Sequence, residues 1–95
     1  MKAMSDKEMR ELDAWIAEHA MGLSCIRAAT FRPTTDYGAT MEVLEKCVER
    51  LLNNVEIFGN NRDRFVVSGP NEAFESEAAT LPLAICLFAK QLFSK

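Results

Sequence analysis

The amino-acid sequence predicts an α+β fold in one domain, with three helices packed around a small, mainly antiparallel sheet. Three observations carry this reading. Segments starting near Ser5, Asp36 and Thr80 repeat apolar residues at helical spacing. Val55–Ser68 reads as two extended stretches around an Asn-Asn-Arg turn. The 95 residues are enough for one core and no more. A chain of this length buries only roughly 60–65% of the surface its unfolded state exposes, so a partner subunit would widen a thin stability margin. Hydrophobic residues at 48% and charged residues at 26% are ordinary for a globular protein.

The first helix begins at Ser5. Ser5 and Glu8 have capping-box spacing, in which each side chain satisfies the other's free backbone N–H. Met9, Leu12, Ile16 and Ala20 then make one apolar stripe, and Gly22 suits the left-handed position that closes a helix. Either Met1 or Met4 can serve as the natural start. Ser24–Pro33 reads as a short strand or extended segment ended by Pro33. The second helix takes Thr35 or Asp36 as N-cap and runs to about Leu52. Val43, Leu44, Cys47, Val48 and Leu51 cover one side of it, and Glu42, Glu45, Lys46 and Glu49 the other, with Glu42 and Lys46 spaced as an i,i+4 pair.

In the hairpin, a three-residue loop at Asn60-Asn61-Arg62 pairs Ile57 with Phe65 and Val55 with Val67. A two-residue loop would set Ile57 against Arg64, and burial of one face selects the former. Gly69-Pro70-Asn71 ends the strand. Glu72–Ala78 reads as a connection with room for a short edge strand around Ala73–Glu75. The third helix starts near Thr80, with Pro82 tolerated in its first turn. Leu81, Ile85, Phe88 and Leu92 make one stripe, Leu83 and Leu87 lie opposite, and only Lys90 and Gln91 are polar between Leu81 and Phe93. A helix apolar nearly all round must be buried nearly all round. The core covers one face. The second is expected to need another subunit, which makes Leu83 and Leu87 interface residues and the protein a homo-oligomer; a third layer of secondary structure is the other way to cover it.

Several function classes are disfavoured. A net charge of −3 suits general nucleic-acid binding poorly, although Arg27, Arg32, Arg62 and Arg64 fall outside the helices. Cys25, Cys47 and Cys86 are odd in number and far apart, which argues against a disulfide framework and suits a cytoplasmic protein. Met1–Arg10 has no apolar signal core, and the run Leu81–Ala89 is too short to span a bilayer. His19 reads as a boundary residue making a local hydrogen bond, with no nucleophile beside it in sequence. Cys47 and Cys86 read as small core residues, and no metal-ligand spacing occurs. Glu42, Glu45 and Glu49 lie on a solvated face; Glu72, Glu75 and Glu77 belong to an acidic connection. The four glycines are isolated, so there is no phosphate loop. No catalytic residue, metal or cofactor is therefore expected. Arg32, Thr34, Thr35, Asp36 and Tyr37 bunch at the entrance to the second helix, where hydroxyls, a guanidinium and free N–H groups could hold an anion. Trp15 lies at the edge of the first helix's stripe, as a stacking platform or interface anchor. The plainer reading of these residues is a capped helix entrance and a tryptophan that covers the core.

Ala20-Met21-Gly22, then Thr34-Thr35-Asp36 leading into Met41–Lys46, then Ala78–Cys86 follow one another in order. Their series, above all T-x-P-L-A-I-C at Thr80–Cys86, resembles the phage ABA-sandwich domain proteins, small proteins of tailed phages and prophages. The likeness spans nearly the whole chain. It departs at Leu23, where members carry tryptophan, and at Pro33–Asp36, which lacks their aromatic residue. The resemblance implies an α–β–α sandwich and transfers no catalytic residue. With it, the expected function is that of a non-enzymatic phage accessory protein, a homo-oligomer binding a host component or small ligand. Sequestration of a nucleotide immune signal, as an anti-defence sponge, is one form of this, with the ligand at a subunit boundary near Arg32, Thr35, Tyr37 and Trp15. The alternative is a protein–protein module that docks a host protein through the third helix.

Overall fold

The computed structural model describes residues 5–51, 55–59, 64–69 and 75–94. In chain order these form α1 (Asp6–His19), one turn of α2 (Cys25–Ala28), α3 (Tyr37–Leu51), β1 (Glu56–Gly59), β2 (Phe65–Ser68), β3 (Glu75–Ala78) and α4 (Leu81–Phe93). Three long helices and an antiparallel sheet of order β1-β2-β3 give the expected α+β fold.

The helix ends follow local chemistry. Ser5 and Glu8 make both hydrogen bonds of the capping box: Glu8 N–H donates to Ser5 Oγ at 3.2 Å and Ser5 N–H to Glu8 Oε1 at 3.1 Å. At the far end of α1, Gly22 takes φ +63°, the left-handed conformation that costs glycine nothing. This lets Leu23 N–H turn back to Ala17 O at 2.9 Å. Thr80, in extended conformation, caps α4 by accepting Leu83 N–H at 3.3 Å, with Pro82 in the first turn.

Three expectations are corrected. Cys25–Ala28 is a helical turn and not a strand. Ser24 stands before it as a local cap, its Oγ accepting Arg27 N–H at 3.4 Å, so this backbone is satisfied without a sheet partner. The hairpin register is also two residues longer than the three-residue loop predicts. Ile57 faces Val67 and Gly59 faces Phe65. A shift of two keeps every side chain on its expected face. It also sets Phe65 opposite a residue with no side chain: a Cβ on Gly59 would stand 3.4 Å from the Phe65 ring. The predicted Asn60–Arg62 turn and the Pro70–Glu72 stretch lie outside the described residues. A third strand is present but lies further along than the Ala73–Glu75 expected, at Glu75–Ala78, with Val67 facing Ser76; residues 73 and 74 lie outside the described residues.

The core is organised around α4. One face of the sheet, including Val67, Ser76 and Ala78, packs on it, and Ser76 Oγ–H donates to Ala84 O at 2.5 Å. On its other side α4 meets α1, through Leu12, Ile16 and Ala17, and α3, through Val43 and Cys47. The apolar character of α4 is thus explained within one chain. Leu83 is 8% exposed and Leu87 half-buried. Of the two residues expected at an interface, Leu83 is covered within the chain, whereas Leu87 stays half-buried on the open edge of α4 beside Lys90 and Gln91. The outer edge of β3 is closed at one point by a side chain. Gln91 accepts Glu75 N–H at 3.2 Å through Oε1 and donates from Nε2 to Glu75 O at 2.6 Å.

Gly69, after β2, is buried against this core. A Cβ there would lie 3.1 Å from Phe88 Cζ and 3.7 Å from Leu51 Cδ1. Phe88 has no solvent-exposed side along which to yield. Gly69→Ala is therefore expected to lower stability by about 1 kcal/mol, the overpacking cost outweighing the loss of unfolded-state entropy. Urea denaturation followed by circular dichroism checks this; an unchanged or higher midpoint contradicts it.

Candidate functional site

The entrance to α3 is built from a tight turn. Thr35 N–H and Asp36 N–H both reach Arg32 O, at 3.1 and 2.8 Å. Asp36 is the N-cap: its Oδ1 accepts Gly38 N–H at 3.0 Å, and its carbonyl accepts Thr40 N–H at 2.9 Å. The Thr40 hydroxyl is shared between Pro33 O at 2.6 Å and Asp36 O at 2.8 Å, which ties the turn to the first coil of α3. Thr34 is buried and faces α1. Its N–H donates to Asp13 Oδ1 at 2.9 Å and its hydroxyl to Asp13 Oδ2 at 3.0 Å. Asp13, 3% exposed, is the one charged side chain among the buried residues of α1. Its pKa is raised from 3.8, chiefly by burial; the Thr34 N–H and hydroxyl bonds and the nearby Arg32 charge pull the other way.

The expected anion site is thus largely occupied by the protein's own groups. The N-terminus of α3 already holds a carboxylate, that of Asp36, and Thr34 is committed to Asp13. A cleft of about 340 Å³ opens nearby between α2 and α3, with Arg27, Thr30, Asp36 and Glu42 on its walls. Two carboxylates against one guanidinium make it unfavourable for a phosphate. Trp15 is not part of this region. It lies two residues from Asp13, on the opposite side of α1, where its ring stacks on His19 with centroids 4.5 Å apart and Lys90 Nζ 5.8 Å from its centroid. His19 Nδ1 lies 3.0 Å from Trp15 O, the local hydrogen bond expected of a boundary histidine. Arg32, Thr35, Asp36 and Tyr37 do share one exposed corner.

Cys47 and Cys86 are core residues, as their apolar surroundings indicate. Cys47 and Cys86 are free and fully buried, and burial pushes the Cys47 thiol up to about 12 and that of Cys86 higher still. Among the described residues no three His, Cys, Asp or Glu side chains converge on a metal-sized space. None of the described helices is long and apolar enough to cross a membrane.

Sequence reasoning missed a surface on α3. Tyr37, Met41, Leu44 and Val48 recur in steps of four, three and four, which places them along one line of the helix. This line runs beside the buried one of Ala39, Thr40, Val43 and Cys47. Tyr37 is 61% and Met41 40% exposed, while Leu44 and Val48 are half-buried. The signal was in the spacing: once Met41 is placed with Leu44 and Val48, the apolar arc of α3 is wider than one contact line. The i,i+4 pair expected between Glu42 and Lys46 is also replaced. Lys46 Nζ turns the other way and lies 3.6 Å from Glu49 Oε2.

Comparison with known proteins finds no counterpart for this arrangement: no family model, no curated protein and no solved structure matches the chain.

Proposed function

We propose that the protein is a non-enzymatic binding protein that docks a partner protein through the outer face of α3. The resemblance to phage ABA-sandwich proteins adds the setting: an accessory protein of a phage or prophage, acting on a host component in the bacterial cytoplasm. The observation that carries the docking reading is the row Tyr37–Met41–Leu44–Val48. Single exposed apolar residues are ordinary on any surface, but a row of them along a helix is the pattern of recognition by helix packing. The row stands on a well-anchored element, since Asp36, Thr40 and the Asp13–Thr34 contact fix the start of α3. Tyr37, at its head, is of a type enriched in interface anchors. A nucleotide site draws less support, because Trp15 and the α3 entrance are on opposite sides of α1 and the entrance carries its own carboxylate.

The test uses wild type and Met41→Asp as paired baits in host lysate. A protein retained by the wild type, released by the variant and re-bound in purified form is the expected result; identical profiles for the two baits overturn the reading. In the same preparation, cyclic dinucleotides and ADP-ribose derivatives are expected to leave the melting temperature unchanged. A rise with any of them would favour the small-ligand form of the function instead.

A further inference from the structure

Resting on that docking face, we infer that the partner it fits is a cationic amphipathic helix and not a second copy of this chain. The row on α3 is an elongated ridge running the length of several helical turns, which matches another helix better than a loop tip. Its charge pattern gives the sign of the partner. Each of the last three residues of the row is followed by a glutamate, as Met41-Glu42, Leu44-Glu45 and Val48-Glu49. The same steps that align the apolar residues therefore align the carboxylates, in a parallel row on the solvent side. All three glutamates are exposed. Glu49 has Lys46 at 3.6 Å; Glu42 and Glu45 have no ion pair among the described residues.

A second copy packed through the same face of α3 would bring the same glutamates, and neither cation near that face on α3 is spare. Lys46 is engaged by Glu49, and the Arg50 guanidinium lies over the Phe93 ring, 5.8 Å from its centroid. A helix with an apolar stripe and lysines or arginines along one flank supplies what is missing. The net charge of −3 favours encounter with such a segment at long range as well.

Two synthetic amphipathic helices serve as probes, with identical leucine stripes and either lysines or glutamates on the polar side. Binding is followed by fluorescence anisotropy at low and high salt. The wild type is expected to prefer the lysine peptide by about tenfold or more, with the preference shrinking in salt. The triple variant Glu42→Lys, Glu45→Lys, Glu49→Lys, whose changes are all at exposed positions, should reverse the preference. Met41→Asp should weaken binding of either peptide, with circular dichroism confirming that both variants fold. No binding of the lysine peptide, equal binding of both, or a preference untouched by charge reversal overturns the inference about the partner's charge. Binding that survives Met41→Asp overturns the docking face itself. A wild-type dimer that Met41→Asp converts to monomer identifies the occupant as a second copy and overturns the inference too.

Discussion

Phe88→Ala is expected to cost about 3–5 kcal/mol, a large part of the roughly 5–15 kcal/mol that holds a domain folded. Phe88 is among the largest side chains with no exposure, and it sits on α4, the helix that both the sheet and the other long helices touch. Its removal deletes the transfer energy of a benzyl group and leaves a void that the surrounding core only partly closes, with the Gly69 backbone on one of its walls. A glycine with no side chain cannot fill that space. Phe88→Leu keeps most of the volume and should cost well under half as much. Trp15, the single tryptophan, reports unfolding through its fluorescence. Urea titrations of the three proteins check the order; a Phe88→Ala midpoint close to that of the wild type would contradict this account of the core.

The second large effect concerns Asp13. Asp13→Ala removes the acceptor of both Thr34 N–H and Thr34 Oγ1–H in a buried place, and is expected to cost about 2–3 kcal/mol. Asp13→Asn keeps an oxygen for the N–H and removes a charge that burial makes expensive, so it should cost far less. The two proteins must also differ in pH response. Burial raises the native pKa of Asp13 above its ordinary 3.8, so the folded state binds this proton more tightly than the unfolded one. The stability gained from that proton is fully present below pH 3.8 and is lost as pH climbs through the raised native value. Relative to Asp13→Asn, the wild type should therefore be at its best in acid and lose ground toward neutrality. Urea midpoints of both proteins across the carboxylate range decide this, and a wild-type advantage that grows with pH would refute it.

How far the sequence was legible depended on whether the signal was local. The Ser5–Glu8 box, the Asp36 and Thr80 caps and the three long helices rest on residues within a few positions of each other, and the structure contains them all. The single turn at Cys25–Ala28 was misread because apolar residues separated by one arginine fit a strand and a helical turn equally well. The hairpin register slipped by two because nothing local tells Val55 from Ile57 as the partner of Val67; the answer lies in how Phe65 settles over Gly59. The reach of periodicity ends most clearly at α4. Counting its apolar residues correctly showed that it must be covered on both sides, but whether by one chain or two is a question of tertiary arrangement that periodicity does not hold. In the site, the hydroxyl and carboxylate types at Thr34 and Asp36 were recognised as cap chemistry, whereas Asp13, in a helical stripe 21 positions away from Thr34, gave no sign of its role.

The position of α4 also bears on how a ribosome can deliver this protein. Its central helix is the last of the described elements to be synthesised, while α1 and α3 hardly touch except through it. The described helices and strands before it must wait, their greasy sides bare, until α4 has left the exit tunnel. Messages truncated ahead of Leu81 would yield chains with nothing to close around, natural clients for chaperones and proteases.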